Sequence, residues 1–172
     1  MRVCVDVAYH ESGACAAAVT FRDWSDAKAV DEKVVHVSKV ELYVPGEFFR
    51  RELPCLLAVL ETLPPAKTVI IDGYVWVDEA SKPGLGAHLH QALGGRVEVV
   101  GIAKTKFRGA AGVCEVMRGT SKRPLYVSAV GIQSELAADC VRSMYGQYRI
   151  PDLVKRVDYL CRHGQASGPL PD

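Results

Sequence analysis

No stretch of this 172-residue chain stays apolar for the roughly 20 residues that a membrane-spanning helix needs, which excludes that class of protein and a membrane partner. The opening MRVCVDVAY has neither the basic start nor the long apolar run of a signal peptide and reads as a strand, so a cytoplasmic protein is expected. Charge of one sign is also missing. A net charge of +1 excludes a generally basic nucleic-acid coat protein, although a local basic groove remains compatible with it. The six cysteines, Cys4, Cys15, Cys55, Cys114, Cys140 and Cys161, include no CxxC pair, which removes the usual zinc spacing. They read as reduced, mostly buried thiols, because a chain of this length does not need a disulfide framework. There is no internal repeat and no linker long enough to divide the chain. One domain over residues 1–162 is expected, followed by a mobile, Gly- and Pro-containing tail over 163–172, and a monomer is expected.

What is present is a change of pattern part-way along. Val3 to Tyr9, Ala14 to Arg22 and Lys33 to Tyr43 alternate like strands and predict an antiparallel three-strand meander, with a polar, turn-like stretch over Asp23 to Asp31. A leucine-rich helix follows, with Leu53, Leu56, Leu57, Leu60 and Leu63 at helical spacing, and Pro64-Pro65 stops it. Thr68 to Ile71 is a short apolar strand of the kind buried on both faces, closed by Asp72-Gly73. A helix over Gly84 to Leu93, a strand over Arg96 to Ala103 and a hairpin over Val113 to Val130 come next. Two more helices complete the pattern, one capped by Ser134 and one started by Pro151. This order predicts an α/β domain, a mixed sheet covered by helices on both faces.

The stretch Tyr43 to Glu52, YVPGEFFRRE, joins a stiff apolar hairpin tip to a carboxylate at the start of a helix. Asp6 lies inside a valine-rich strand and Asp72 ends another. In a layered fold of this order the three carboxylates can converge on one edge of the sheet. Two carboxylates about 4 Å apart repel by roughly 4 kcal/mol at an effective dielectric of about 20, and a divalent cation reverses that sign. Oxygen ligands suit magnesium or manganese. Each acid also has an ordinary reading: an edge residue for Asp6, a helix-dipole charge for Glu52, an Asp-Gly turn for Asp72.

Seven segments in order resemble the endonuclease V family, whose fold is RNase H-like: VDVAY at Val5 to Tyr9, YVPG with RE at Tyr43 to Glu52, IIDG at Ile70 to Gly73, GLGAHL at Gly84 to Leu89, GIAK at Gly101 to Lys104, PLYVS at Pro124 to Ser128 and YRIP at Tyr148 to Pro151. The resemblance implies a magnesium-dependent endonuclease, with manganese a plausible substitute. Its substrate would be DNA or RNA containing inosine, cut at the second phosphodiester bond on the 3′ side of that base. It implies that Asp6 and Asp72 hold the metal, that Glu52 completes the acidic site directly or through water, and that Lys104 lies beside the metal and the scissile phosphate. Tyr43, Val44 and Pro45 would be a wedge that fills the gap left by an extruded base. Gly46, Phe48 and Gly73 would line the pocket for that base.

Three departures accompany it. Asp78 stands where the family carries a histidine, AVGIQ at Ala129 to Gln133 replaces a Pro-Gly-His element, and Asp158 replaces a histidine of the last helix. Asp78 is a candidate metal or water ligand. Two alternatives stay open: a relative that binds nucleic acid without cutting it, and an RNase H-like nuclease with another substrate. Elsewhere, His88 and His90 cannot share a helix face. Trp76 is a packing lid or a base stacker. Lys104, Lys106, Arg108, Arg118, Lys122 and Arg123 are either solvated surface or phosphate contacts.

Overall fold

A computed structural model describes residues 1–42, 44–78, 82–107, 109–110 and 112–164. Seven strands form one sheet: β1 (Arg2–His10), β2 (Gly13–Phe21), β3 (Asp31–Val37), β4 (Thr68–Asp72), β5 (Glu98–Ala103), β6 (Cys114–Val116) and β7 (Leu125–Val130). The spatial order is β3-β2-β1-β4-β5-β7-β6. β1, β2 and β3 are the antiparallel meander, and β4 and β5 run parallel to β1. β7 and β6 then return antiparallel, so the far edge of the sheet is a hairpin rather than further parallel strands. The expected mixed α/β sheet is therefore present, with four helices among the described residues: α1 (Phe48–Leu60), α2 (Leu85–Ala92), α3 (Ser134–Ser143) and α4 (Asp152–His163). None is long and apolar enough to cross a membrane.

Strand alternation decides which helix covers which face. Val3 and Val5 of β1 pack with Cys55, Leu56 and Val59 of α1 and with Leu89 of α2. Cys4, one residue over, packs with Val157 and Leu160 of α4 on the other face, where Val141 of α3 also lies. β2 serves both layers with small side chains, Ala14, Ala16 and Ala18 on the α1 side and Ala17 on the α4 side, all buried. Small residues on the sheet let both helices approach closely, which a larger side chain at any of these positions would prevent.

Several boundaries differ from the sequence expectation, each for a local reason. β3 stops at Val37, not Tyr43, because its last partner is Ala14 and β2 begins at Gly13. Gly13 has φ 136°, and a Cβ there would stand 2.2 Å from the Val37 carbonyl oxygen. Residues 38–42 and 44–47 belong to no strand and lead into α1, so the described part of the apolar tip is not a strand hairpin. α1 begins at Phe48, three residues before Arg51, so Glu52 sits in its second turn rather than at its start, and Leu63 falls beyond its end. Pro54 lies inside this helix on its exposed side. Ser134 is the first residue of α3 and not its cap. Gln133 is the cap, with its carbonyl accepting from Ala137 N–H at 2.9 Å. The stretch Asp23 to Asp31 contains no helical turn, and the Asp26 carboxylate accepts from the Arg22 and Asp23 N–H groups.

Candidate active site

The parallel register brings the acids together. Val5 of β1 pairs with Ile71 of β4, so Asp6 and Asp72 are the next residues on neighbouring parallel strands, at the ends where β4 and β5 finish. In open α/β sheets this carboxyl edge is where ligands bind. Asp72 pairs with Ile102 of β5, which places Lys104 just beyond the end of that strand. The Lys104 ammonium donates to Asp72 Oδ2 at 2.7 Å. Asp6, Asp72, Lys104 and Asp158 of α4 line one cleft, floored by Cys4, Ile70 and Val157. Glu52 reaches the same edge from α1 on the opposite face of the sheet. It is 5% exposed, and its Oε2 has no hydrogen-bond partner among the described residues.

These placements set the electrostatics. Burial lifts the Asp6 carboxyl to about 6, and the Asp72 and Asp158 charges push the same way against a hydrogen bond from Val7 N–H and the charge of Lys104. Burial lifts Glu52 to about 8, with Asp6 and Asp72 adding to it. For Lys104, burial works to lower the ammonium, but the hydrogen bond and charge of Asp72, then Asp158 and Asp6, more than offset it. Four carboxylates therefore share one edge with Lys104. The nearby Arg162 is engaged by Asp158 Oδ1 at 3.0 Å. Such an excess of buried negative charge is costly without a counter-ion.

The family model for endonuclease V matches residues 2–115. This chain belongs to the endonuclease V family. The endonuclease V of Streptomyces coelicolor is 35% identical to it over 92% of this chain and 76% of that protein. The Streptomyces avermitilis protein is 34% identical over 92% of this chain and 77% of its own length. Its solved structure superposes with TM-score 0.67 at 29% identity, covering 94% of this chain and 79% of that one. A Ciona intestinalis endonuclease V, in complex with a DNA containing an inosine followed by a ribo-adenosine, shares the fold with TM-score 0.78 at 18% identity, over 95% of this chain and 84% of that one.

The remaining residues singled out in the sequence divide. Of the residues expected to form a wedge, Tyr43 lies outside the described residues. Val44 is 45% exposed and its carbonyl accepts from Glu47 N–H at 3.0 Å, closing a turn over Pro45 and Gly46. Phe48 opens α1 and is largely exposed. Gly73 has φ 137° and open space where a Cβ would stand, and its carbonyl passes so close to Gly101 of β5 that a Cβ there would meet it at 2.4 Å. Asp78 is drawn away from the acids: its Oδ1 accepts from Lys82 N–H at 2.7 Å, and it is not among the charges that shift Asp6, Glu52 or Lys104. In the structure this contact makes it a turn residue. Arg118 is not a phosphate contact. It is 6% exposed and its guanidinium donates to the carbonyls of Met144, Gly146, Tyr148 and Arg149. The Trp76 backbone forms an isolated bridge with Pro83, and the residue is half-buried. His88 stacks on Phe49 and His90 Nδ1 bonds the Val97 carbonyl, so neither imidazole belongs to the acidic edge.

Sequence reasoning missed four contributors. Asp158 was marked only as a departure, although its position opposite a family histidine was the available signal. Tyr9 and Arg51 form a stack beside Glu52, with the guanidinium 3.7 Å from the ring centroid. Arg149 donates to the carbonyls of Lys104 and Pro124, which fixes the backbone that carries the lysine. These last three lie in the family segments VDVAY, YVPG with RE, and YRIP, but the contacts each makes join distant segments and are not written in the local sequence.

A divalent cation fits this donor set in chemistry. The groups are all carboxylate oxygens, and one of them, Glu52 Oε2, is buried without a partner. With the side chains as they stand, no group of three acidic, imidazole or thiol residues among the described residues is placed to hold one ion. Asp72 is instead engaged by Lys104. Asp6, Asp72, Asp158 and Glu52 would hold the cation once Lys104 releases Asp72.

Proposed function

We propose that this endonuclease V family member is a metal-dependent endonuclease that cuts DNA or RNA at the second phosphodiester bond 3′ to inosine. The observation that carries this reading is the convergence of Asp6, Glu52, Asp72 and Asp158 on one sheet edge around Lys104. The Ciona relative bound to an inosine-containing DNA supports the class of substrate.

In this reading Asp6 and Asp72 hold magnesium, or manganese, with Glu52 and Asp158 completing its surroundings directly or through water. When bound there, such an ion would supply Lewis-acid chemistry, polarising a phosphate and lowering the pKa of a water. The chain's own groups do the rest. Lys104 exchanges Asp72 for the scissile phosphate and neutralises the oxygen that departs. In the structure the Asp72 hydrogen bond and the surrounding carboxylates favour its charged form. Tyr43, Val44 and Pro45 fill the stack where a base has been extruded. Gly46, Phe48 and Gly73 line the pocket for that base, where the glycines let backbone approach it closely.

The test is cleavage of labelled single-stranded RNA and DNA carrying one inosine, with magnesium, manganese or chelator, beside Asp72→Ala. One metal-dependent cut, absent in the variant, establishes the reading and identifies the preferred strand. A second reading, binding without cleavage, is favoured by the Lys104–Asp72 pair and by carboxylates where imidazoles are expected. Salt-sensitive binding with no product under any divalent metal would replace the first reading with it. Equal cleavage of strands without inosine would point to a nuclease with another substrate.

A further inference from the structure

Beside the acidic edge, toward β6 and β7, lies a cavity of about 230 Å³ that none of the acids lines. Tyr74, Phe107 and Tyr126 form its aromatic walls, and Lys106 and Glu115 stand at its rim. Its parts follow the catalytic candidates directly in sequence. Tyr74 is two residues beyond Asp72 on the loop after β4. Lys106 is two residues beyond Lys104 on the loop after β5. The Tyr74 hydroxyl ties the two loops, donating to the Thr105 carbonyl at 2.7 Å and accepting from Phe107 N–H at 3.0 Å. This pair of bonds holds Phe107 with its ring 6.1 Å from that of Tyr74 while leaving it 51% exposed. An aromatic ring held in place yet left half in water is a surface prepared for a flat, apolar-faced partner.

We propose that this slot takes the base of a nucleotide flanking the cut, on a strand that is single at that point. The proposal rests on the nuclease reading for the strand's position, and it assigns a second base site distinct from the one for the extruded base. The walls offer π faces, which stack any base with little regard to sequence. The rim offers a donor and an acceptor, Lys106 Nζ and Glu115 Oε1, now paired with each other at 3.0 Å and both well exposed. That pair can open, turning the ammonium to a phosphate and the carboxylate to a base edge. Continuity decides the occupant. A strand whose phosphate lies at Lys104 and Asp72 must carry its next nucleotide past Thr105 and Tyr74. Of the pocket expected for the extruded base, Gly46 and Phe48 lie with α1 over β1, β2 and β3, on the other side of the Asp72–Lys104 pair, and Gly73, between Asp72 and Tyr74, is where the two base sites adjoin.

The experiment uses the full chain in chelator with single-stranded oligonucleotides that carry 2-aminopurine at successive positions on either side of one inosine. A matched series carries no inosine. Stacking in the slot quenches the probe at one position next to the scissile phosphate. Phe107→Ala abolishes that quench and weakens binding about five- to 150-fold, in line with base–aromatic stacks elsewhere. Phe107→Trp keeps both. A strand lacking the base at that position binds the wild-type chain as weakly as the intact strand binds Phe107→Ala, and the two losses do not add. Uniform signal along the strand, or unchanged binding and quench in Phe107→Ala, overturns the slot. Phe107 is exposed enough that its variants fold, which a thermal melt verifies. The two readings fail separately. Cleavage beside inosine without a positional quench removes the slot alone. A quench lost in Phe107→Ala, with no metal-dependent cleavage, keeps the slot and removes the nuclease.

Discussion

The Arg51 guanidinium lies over the Tyr9 ring, 3.7 Å from its centroid, and so links α1 to the end of β1. Arg51 precedes Glu52, so the stack fixes the turn of helix that aims the buried carboxylate at Asp6 and Asp72. Tyr9 Oη and Arg51 Nε are buried and have no hydrogen-bond partner among the described residues. Arg51→Ala is expected to cost ~1 kcal/mol of stability, the scale of a partly desolvated cation–π contact, in urea unfolding. Tyr9→Phe keeps the ring and should change stability by less than ~0.5 kcal/mol. A large loss in Tyr9→Phe would show that the hydroxyl, not the ring face, matters.

The raised acids make a prediction about pH. Asp6 is lifted from 3.8 to about 6 and Glu52 from 4.5 to about 8, in both cases by burial first. Between those values the folded chain keeps protons that the unfolded chain has released. Their contribution to stability is therefore complete below about pH 4 and is lost as pH rises through about 6 and then about 8. In chelator, the melting temperature should fall across that window, and Asp6→Asn or Glu52→Gln should flatten the fall. A wild-type slope unchanged in both variants would refute the assignment.

Metal should reverse this slope, because it favours the ionised carboxylates. Added magnesium or manganese should raise the melting temperature at pH 8 more than at pH 5.5, by an amount that grows with the logarithm of concentration. Asp158→Asn should weaken that stabilisation about tenfold in apparent affinity, on the scale of a lost supporting ligand. Asp78→Asn should leave it unchanged, since Asp78 serves a turn at Lys82. Equal effects of the two variants would count against Asp158 as a member of the site.

Arg149 supports Lys104 through its backbone carbonyl rather than through its charge. Arg149→Met should leave two carbonyls without their donor, at ~1–3 kcal/mol. It should also lower the cleavage rate about tenfold with little change in substrate affinity. Arg149→Lys restores a donor without the fork and should recover part of both. A variant that loses stability but cleaves at the wild-type rate would show that Lys104 does not depend on this clamp.

The alternation of Val3, Cys4 and Val5 and the leucine spacing after Arg51 were sufficient to predict strands, helices and the mixed α/β order, because period and burial are written locally. The acids at Asp6, Glu52 and Asp72 and the lysine at Lys104 were also legible, since charged residues within or at the ends of apolar segments stand out and the family motifs surround them. What the chain could not reveal alone was which partner each charged group would meet. Asp78 and Asp158 both read as acids in place of histidines. Only packing separates them, with Asp78 closing a turn and α4 carrying Asp158 into the cleft with Asp6. Arg118 read as a surface cation, yet it is enclosed by the carbonyls of residues 144 to 149. The stop of β3 at Val37 was set by where β2 begins, and the stack of Arg51 on Tyr9 by the crossing of α1 over β1. Each of these outcomes depends on residues far apart in the chain. Local pattern determined the elements and the candidate chemistry, and tertiary contact decided the partners.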